Sequence, residues 1–310
     1  MSPESSLRAD VVEIGRRMYA RGYTASNDGN ISVRLESDRL LVTPKGVCKG
    51  FMTPDMMSVT DLDGRKLQGD RDPSSEILMH LEVYRQRPDV HAVVHAHPPI
   101  ATGFAVAGIP LDRAVLAEVL TTLGSVPIAE YATPSTRELP EAVRKYIRAH
   151  DGMLLANHGA LTVGGDLYSA YYKMETVEHF AKISLVARLL GRENLISREE
   201  VMRLQELRGV YGIKPPAPIC DPSTPLGAGP STSATEFGAG ASTSLGAGAG
   251  DPGDPATCQV VQAPPGAGLR LVPDLLDGDH RSVRPGEEGE IRLTYRELSA
   301  LIEDAIRSLR

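Results

Sequence analysis

Apolar residues recur at helical spacing in three parts of the chain. Residues 5–22 have this pattern, and residues 166–191 repeat it over a longer stretch. A third helix is predicted over residues 76–86, because the Pro-Ser-Ser sequence at 73–75 supplies a start signal ahead of it. Each segment is therefore expected to pack one apolar face against the rest of the fold.

Short apolar runs bounded by turn residues predict strands. The sequences NISVRL and RLLVT flank a polar turn, and residues 56–68 have the pattern of a hairpin through Asp63 and Gly64. Residues 91–97 and 152–158 are apolar runs that each end in histidine. The mixed order of strands and helices predicts an α/β body. A dinucleotide-binding fold is not expected, because no GxGxxG joins a strand to a helix.

The composition changes at about residue 214. Residues 215–268 are rich in Gly, Ala, Ser, Thr and Pro, and we interpret them as a flexible linker because large apolar groups are scarce there. Apolar residues return in the C-terminal segment, 269–310. Its last part, 291–310, is predicted to contain an amphipathic helix that starts at Tyr295 after a capping box. The chain is therefore divided into a folded body at 1–214, the linker and the C-terminal segment.

Charge and cysteine content narrow the classes of function. The formal net charge is -7, from 33 Lys and Arg against 40 Asp and Glu, which argues against nucleic-acid binding. There is no apolar run long enough to cross a membrane and no apolar signal core at the start, so we expect a cytoplasmic protein. The three cysteines form no CxxC pair. Histidine and carboxylate are therefore the expected ligands of any metal.

Three histidines are the strongest candidates for such ligands. His95 and His97 are two positions apart, so on a strand their side chains project from the same face. His158, in the sequence NHG, could supply a third imidazole. Three neutral imidazoles bind Zn²⁺ and leave one coordination position open for chemistry. The alternative is that these are ordinary hydrogen-bonded histidines at strand ends, which is how we interpret His91.

Glu76 is the candidate carboxylate. It follows two serines at the predicted start of a helix, where it could ligate the open metal position or act as a base once substrate displaces it. The alternative is a helix cap, because serine followed by an acid is favoured at any helix start. Asn30 and Gly46, taken alone, are turn residues.

Taken together and in order, these motifs resemble those of the class II aldolase and adducin family. The matching stretches are ASNDGNIS, TPKG, PSSE, VVHAHP, YATPSTREL, LLANHG and VYGIK, within residues 5–214. The resemblance implies a three-layer α/β/α body with a largely antiparallel central sheet. It also implies a homotetramer with active sites between subunits.

The resemblance further implies roles for particular residues. His95, His97 and His158 would bind one Zn²⁺ per subunit, and Glu76 would be the acid/base that also touches the metal. The family's phosphate pocket corresponds to Asn30, Gly46, Ser74 and Ser75, with Lys45 as an added cation where the fuculose phosphate aldolase pattern has threonine. Tyr211 matches a tyrosine near the family's active site.

The reaction implied is reversible retro-aldol cleavage of a ketose 1-phosphate. A substrate such as L-fuculose 1-phosphate or L-rhamnulose 1-phosphate would give dihydroxyacetone phosphate and lactaldehyde, with zinc as the electron sink. In the fuculose phosphate aldolase pattern a tyrosine from the neighbouring subunit protonates the leaving aldehyde, and here Leu116 falls at about that position. The sequence therefore leaves this proton donor unassigned.

Other functions fit the same scaffold. These are an aldolase for 5-deoxyribulose or methylthioribulose 1-phosphate, an epimerase, a dehydratase or a decarboxylase. The epimerase branch carries Asp where this chain has Glu76. A non-catalytic interaction module of the adducin type is a more remote alternative, against which the intact histidines and Glu76 argue.

The C-terminal segment has its own resemblance. A low-complexity linker followed by a short amphipathic helix is similar to the encapsulation peptides that deliver enzymes into bacterial microcompartments. This implies a shell protein as the partner of residues 291–310 and a location in the compartment lumen. The alternative is a tail helix that packs on its own body or on another subunit, because an isolated short helix is marginal in water.

Overall fold

The structure is a computed structural model in which residues 3–36, 38–210, 270–272 and 292–294 are described. The chain divides into two units, Met1–Val261 and Gln262–Arg310. The predicted linker, Tyr211 and the predicted C-terminal helix lie outside the described residues.

One eight-stranded sheet forms the centre of the first unit. Its strands are β1 (Asn30–Arg34), β2 (Arg39–Val42), β3 (Ser58–Asp61), β4 (Lys66–Gln68), β5 (Ala92–Ala96), β6 (Ile128–Ala129), β7 (Gly152–Leu155) and β8 (Gly159–Gly164). They are ordered β4-β3-β2-β1-β5-β8-β7-β6. Every neighbouring pair is antiparallel except β6 and β7. The predicted α/β fold and its largely antiparallel sheet are confirmed.

Helices cover both faces of this sheet. They are α1 (Pro3–Ala20), α2 (Ile77–Gln86), α3 (Pro99–Val106), α4 (Ala117–Thr122), α5 (Glu138–Ile147), α6 (Leu167–Leu189) and α7 (Arg198–Val210). Buried residues of α1, α3 and α6 form one apolar core with the sheet, and those of α2 and α5 form a second core on the opposite face. The arrangement is the expected three-layer α/β/α body.

The two cores explain why the central strands have continuous apolar runs. On β5, Ala92 and Val94 belong to the first core, whereas Val93 belongs to the second. Successive side chains of a strand point to opposite faces, so a strand covered on both sides must be apolar at every position. His95 shares the face of Val93, and both are fully buried. An imidazole therefore replaces an apolar side chain on the face that α2 covers.

Several elements were not predicted from the pattern. These are α3, α4, α5, α7, β6 and β8. Helix α5 does carry its buried residues at helical spacing, including Leu139, Val143 and Tyr146. Strand β6 is only two residues long, and it is held by pairing with β7 rather than by a pattern of its own. Such a strand forms only in its tertiary context.

The second unit contributes two described strands. β9 (Arg270–Val272) and β10 (Arg292–Thr294) pair in parallel. Among the described helices of the whole chain, none combines the length and apolar character needed to cross a membrane.

His150, which follows α5, illustrates how burial sets the pH response of the body. It is only 6% exposed, and its ring Nδ1 lies 3.2 Å from the carbonyl oxygen of Ser125. Burial lowers the pKa of His150 to about 4, although the Ser125 carbonyl and the charge of Asp151 oppose this shift. The native protein therefore holds a neutral imidazole at pH values where an unfolded histidine is already protonated.

We predict that His150 makes the body less stable in acid. Between about pH 6.5 and pH 4 the unfolded chain binds a proton at this position that the native state does not, so the free energy of unfolding falls as the pH drops through that window. His150→Asn keeps a donor for Ser125 and should reduce the fall by about 2–3 kcal/mol. Urea unfolding in chelator at pH 7, 5.5 and 4.5 measures it. His179→Asn, at an exposed position of α6, is the matched control, and equal pH slopes for wild type and His150→Asn would refute the prediction.

Candidate functional site

The three candidate histidines meet at one end of the central strands β5 and β8. His95 lies within β5, and His97 follows the last residue of that strand. The apolar run predicted as a strand over 152–158 ends at Leu155 as β7, so His158 lies in the turn between β7 and β8 rather than on a strand. Because β5 pairs with β8, this turn brings His158 next to the other two rings. One nitrogen from each histidine lies within 4.8 Å of the others.

Contacts outside the centre orient the rings of His95 and His97. The Nδ1 atom of His95 donates to the carbonyl oxygen of Ala160 at 2.9 Å, which leaves a lone pair on Nε2. The Nδ1 atom of His97 lies 3.4 Å from a carboxylate oxygen of Asp28, and its Nε2 lies 3.1 Å from Nε2 of His95. Two lone pairs at this distance repel each other unless a cation lies between them. The donor set therefore fits a divalent metal, with Ala160 and Asp28 as the outer partners that orient its ligands.

Glu76 lies next to the candidate histidines. Its two carboxylate oxygens lie 3.4 Å from Nε2 of His95 and 3.2 Å from Nε2 of His158. Glu76 is the residue before α2, but its side chain makes no capping hydrogen bond to that helix. Instead, the side-chain amide of Asn30 donates to Glu76 Oε2 at 2.8 Å. Glu76 therefore occupies the N-cap position of α2, while its carboxylate faces the histidines.

Opposing effects set the protonation of this cluster. Burial raises the pKa of Glu76, but the charge of His95 and hydrogen bonds from His158 and Asn30 outweigh it, so the pKa lies well below the usual range. Burial lowers the pKa of His95 to about 3 and also lowers that of His97. At neutral pH the cluster thus holds an ionised carboxylate beside neutral rings at His95 and His97. Metal binding requires these protonation states.

A ladder of polar contacts joins β1 to α2 and holds Glu76 in place. Asn30 contacts Glu76, Ser32 Oγ lies 2.7 Å from His80 Nδ1 and 2.9 Å from the Tyr84 hydroxyl, and Arg34 donates to the carbonyl of Tyr84. Every second residue of a strand advances about 6.6 Å, and every fourth residue of a helix advances about 6 Å. The two spacings match, so successive pairs stay in register.

The sequence interpretation missed this ladder and two further residues near the candidate metal ligands, Asp28 and Lys49. His80 follows Glu76 by four positions, which was a signal that both share one face of a helix. Asp28 lies inside the ASNDGNIS motif, but neither composition nor spacing shows that it faces His97. Long-range folding alone reveals that contact.

Two glycines next to these residues allow close approach. Gly29 has φ +71°, and a Cβ atom there would lie 2.8 Å from the carbonyl oxygen of His95. A Cβ atom on Gly159 would lie 2.5 Å from the carbonyl oxygen of Ala96 and 2.6 Å from the His97 ring. Any larger residue at either position would displace one of the candidate histidines or its strand.

The two segments predicted to bind phosphate lie side by side. Their backbones are joined by a bridge between Pro44 and Pro73, by a hydrogen bond of 2.9 Å from the Lys45 amide to the Asp72 carbonyl, and by one of 3.1 Å from the Ser74 amide to the Thr43 carbonyl. This pairing brings the TPKG turn next to the serines that precede α2. The TPKG turn therefore lies beside the segment that leads into Glu76.

The individual phosphate candidates differ in exposure. Lys45, Gly46 and Ser75 are exposed, and Gly46 has φ +70° with open space around it. Ser74 is nearly buried, and its hydroxyl accepts a hydrogen bond from the backbone amide of Glu76 at 3.3 Å. The donor group of Asn30 is already used by Glu76. The exposed phosphate candidates are thus Lys45, Gly46 and Ser75.

The family resemblance places two residues, Tyr211 and Leu116, near the active site and the leaving aldehyde. Tyr211 lies outside the described residues. Leu116 precedes α4 and lines a cavity of about 800 Å³ together with Tyr23 and Glu178. A leucine has no proton to exchange, so the structure supplies no proton donor at residue 116.

Residues 9–185 match the family described as Class II Aldolase and Adducin N-terminal domain. A 3-oxo-tetronate 4-phosphate decarboxylase of Pectobacterium atrosepticum is 33% identical over 190 residues, which is 60% of this chain and 87% of that protein. An L-fuculose phosphate aldolase of Methanocaldococcus jannaschii is 34% identical over 181 residues, 58% of this chain and 97% of that protein.

Another relative and a solved structure extend the comparison. A 5-deoxy-D-ribulose 1-phosphate aldolase of Bacillus thuringiensis serovar kurstaki is 32% identical over 206 residues, 66% of this chain and 96% of that protein. The solved structure of an L-fuculose 1-phosphate aldolase superposes with a TM-score of 0.62 at 32% identity, covering 65% of this chain and 95% of the other. Aldolases and a decarboxylase thus share similar levels of identity with this chain.

The close approach at Gly159 leads to a prediction about metal binding. We expect Gly159→Ala to weaken Zn²⁺ binding by at least about tenfold, because the added methyl group displaces His97 or Ala96. Competition with a chelating dye measures the affinity. Gly165→Ala is the matched control, since a Cβ atom there meets nothing within 4 Å. Equal affinities in the two variants would contradict the assigned site.

Proposed function

The chain belongs to the class II aldolase and adducin family, and on that basis we propose that it is a metal-dependent lyase that cleaves a carbon–carbon bond of a sugar phosphate. The observation that carries the proposal is the convergence of His95, His97 and His158 with an ionised Glu76. When bound, Zn²⁺ would supply Lewis-acid polarisation of a substrate ketone. The three histidines would hold it.

In this proposal Glu76 moves the proton at carbon. Substrate that enters the centre displaces the carboxylate from the histidines, and Glu76 then exchanges a proton with the carbon next to the ketone. The same displacement frees the amide donor of Asn30 for the substrate phosphate. The other anchors are the exposed turn at Lys45 and Gly46 and the serines at 74 and 75. These contacts fix the ketone relative to Glu76.

The first candidate substrate is a ketose 1-phosphate of the L-fuculose 1-phosphate or L-rhamnulose 1-phosphate type. Cleavage would give dihydroxyacetone phosphate and lactaldehyde. This reaction also needs a group that exchanges the proton of the hydroxyl that becomes the aldehyde oxygen. Leu116 cannot do so, and Tyr211 is the candidate that the sequence offers.

A second candidate is decarboxylation of 3-oxo-tetronate 4-phosphate, which is the reaction in the name of the Pectobacterium atrosepticum relative. Two observations favour it. The identity to that relative is similar to the identity to the aldolases. In addition, the loss of carbon dioxide from a carboxylate needs no proton transfer to or from the leaving group. A leucine at position 116 is therefore compatible with decarboxylation. Protonation of the remaining carbon by Glu76 would again give dihydroxyacetone phosphate.

Assembly and location are part of the same proposal. We propose a homotetramer with active sites between subunits and a cytoplasmic location. For residues 291–310 we propose a microcompartment shell protein as the partner. These rest on the family resemblance and on the sequence of the tail.

Two variants separate metal binding from proton transfer. His97→Ala should lose both Zn²⁺ and activity, because it removes a ligand. Glu76→Gln should keep Zn²⁺ bound but lower kcat by at least about 100-fold, because the amide cannot exchange the proton. Metal content by mass spectrometry and release of dihydroxyacetone phosphate measure the two effects. Substantial turnover by Glu76→Gln would show that another group is the base.

The choice between the two substrates is tested with one product assay. The zinc-loaded protein is incubated with L-fuculose 1-phosphate, L-rhamnulose 1-phosphate or 3-oxo-tetronate 4-phosphate, with and without chelator. Chelator-sensitive release of dihydroxyacetone phosphate with lactaldehyde supports the aldolase, and release with carbon dioxide supports the decarboxylase. If none of the three is cleaved while Zn²⁺ is bound, both assignments are wrong.

A further inference from the structure

Lys49 is a buried lysine with no part in the reaction described above. It is only 2% exposed, at the start of a short 3₁₀ helix that follows the TPKG turn. Lysine is rarely buried to this degree unless it is paired. Its ammonium group donates to the carbonyl oxygen of Asn27 at 3.0 Å and to that of Val47 at 2.8 Å. Both hydrogen bonds thus go to backbone carbonyls rather than to a carboxylate.

Each of these carbonyls belongs to a loop of the candidate site. Asn27 precedes Asp28, whose carboxylate orients His97, and the same loop continues to Asn30, which holds Glu76. Val47 follows the exposed turn that is proposed to bind phosphate. One ammonium group therefore joins the loop that supports the metal ligands to the loop that supports the phosphate.

The charge of Lys49 also acts on the site. Burial lowers the pKa of Lys49 to about 8, while Cys48, Asp28 and Glu76 oppose this shift. The ammonium group thus remains mostly charged at pH 7, and its electrostatic partners include the two carboxylates that flank the histidines. A buried charge is costly, and methionine would occupy a similar volume without that cost. Packing alone does not account for a lysine at this position.

We propose that Lys49 is a positioning residue that couples the metal-binding and phosphate-binding loops of the site. The inference rests on the proposed function, because it takes the turn at Lys45 and Gly46 as the phosphate site. Its consequence is that loss of the ammonium group weakens the binding of both Zn²⁺ and phosphate. Loss of a group that belongs to one loop alone weakens only one of them.

The test compares Lys49→Met with Lys45→Met in the full chain. Zn²⁺ affinity is measured by competition with a chelating dye, and the Kd of inorganic phosphate is measured by calorimetry on the zinc-loaded protein, both well below the Tm of each variant. Lys49→Met should weaken Zn²⁺ binding by about 10-fold to 100-fold and should also weaken phosphate binding. Lys45→Met should weaken phosphate binding and leave Zn²⁺ affinity unchanged.

A purely structural role gives a different result. If Lys49→Met lowers the Tm but binds Zn²⁺ and phosphate as wild type does, the proposal is overturned. Lys49→Gln retains a donor for one carbonyl and should give an intermediate loss of both affinities, so it serves as the second variant if Lys49→Met does not fold. Asp28→Asn, which changes only the metal side, should weaken Zn²⁺ binding and spare phosphate.

Failure of the proposed function is distinguishable from failure of this inference. If wild type cleaves none of the sugar phosphates, the assignment of the reaction is wrong, but the Zn²⁺ and phosphate titrations still decide the role of Lys49. If wild type is active and Lys49→Gln matches it in both affinities, the reaction stands and the coupling role is rejected.

Discussion

The architecture of the site depends on the repulsion between electron-rich groups that the fold holds together. Nε2 of His95 faces Nε2 of His97 at 3.1 Å, and Glu76 lies 3.2 Å from His158. Outer contacts hold His95, His97 and Glu76 in this arrangement, and a cation at the centre would relieve the repulsion. The carbonyl of Ala160, the carboxylate of Asp28 and the amide of Asn30 supply the outer bonds. The positions of the surrounding loops are set by the need for these outer contacts.

The sheet provides the rigidity that these contacts need. In the register between β1 and β5, Asn30 lies opposite His95, so the amide and the imidazole project from the same face towards Glu76. Helix α2 then stays in register with β1 through the ladder that continues to Ser32 and His80. Lys49 donates hydrogen bonds to the carbonyl oxygens of Asn27 and Val47, which belong to the two loops beside these elements. Strands and helices thus position the candidate histidines and Glu76, and loops position the turn at Lys45 and Gly46.

The same centre suits more than one reaction. Polarisation of a ketone and protonation of the neighbouring carbon are common to retro-aldol cleavage and to decarboxylation of a 3-oxo acid. The reactions differ in what happens to the leaving group, where the family resemblance aligns Leu116. The residues that serve these shared steps are expected to be alike in both kinds of enzyme. A similar sequence identity of this chain to aldolases and to a decarboxylase is therefore expected.

The sequence by itself determined the helices and strands with strong periodicity and the membership of His95, His97, His158 and Glu76 in one motif set. Local spacing and motif order carry that information, because they depend on neighbours in the chain. Only the tertiary structure decided that the Glu76 carboxylate faces the histidines rather than its own helix, that His158 lies in a turn, and that Asp28, His80 and Lys49 lie around the site. Those contacts join residues far apart in sequence, and their distances depend on strand register and helix docking rather than on any local pattern.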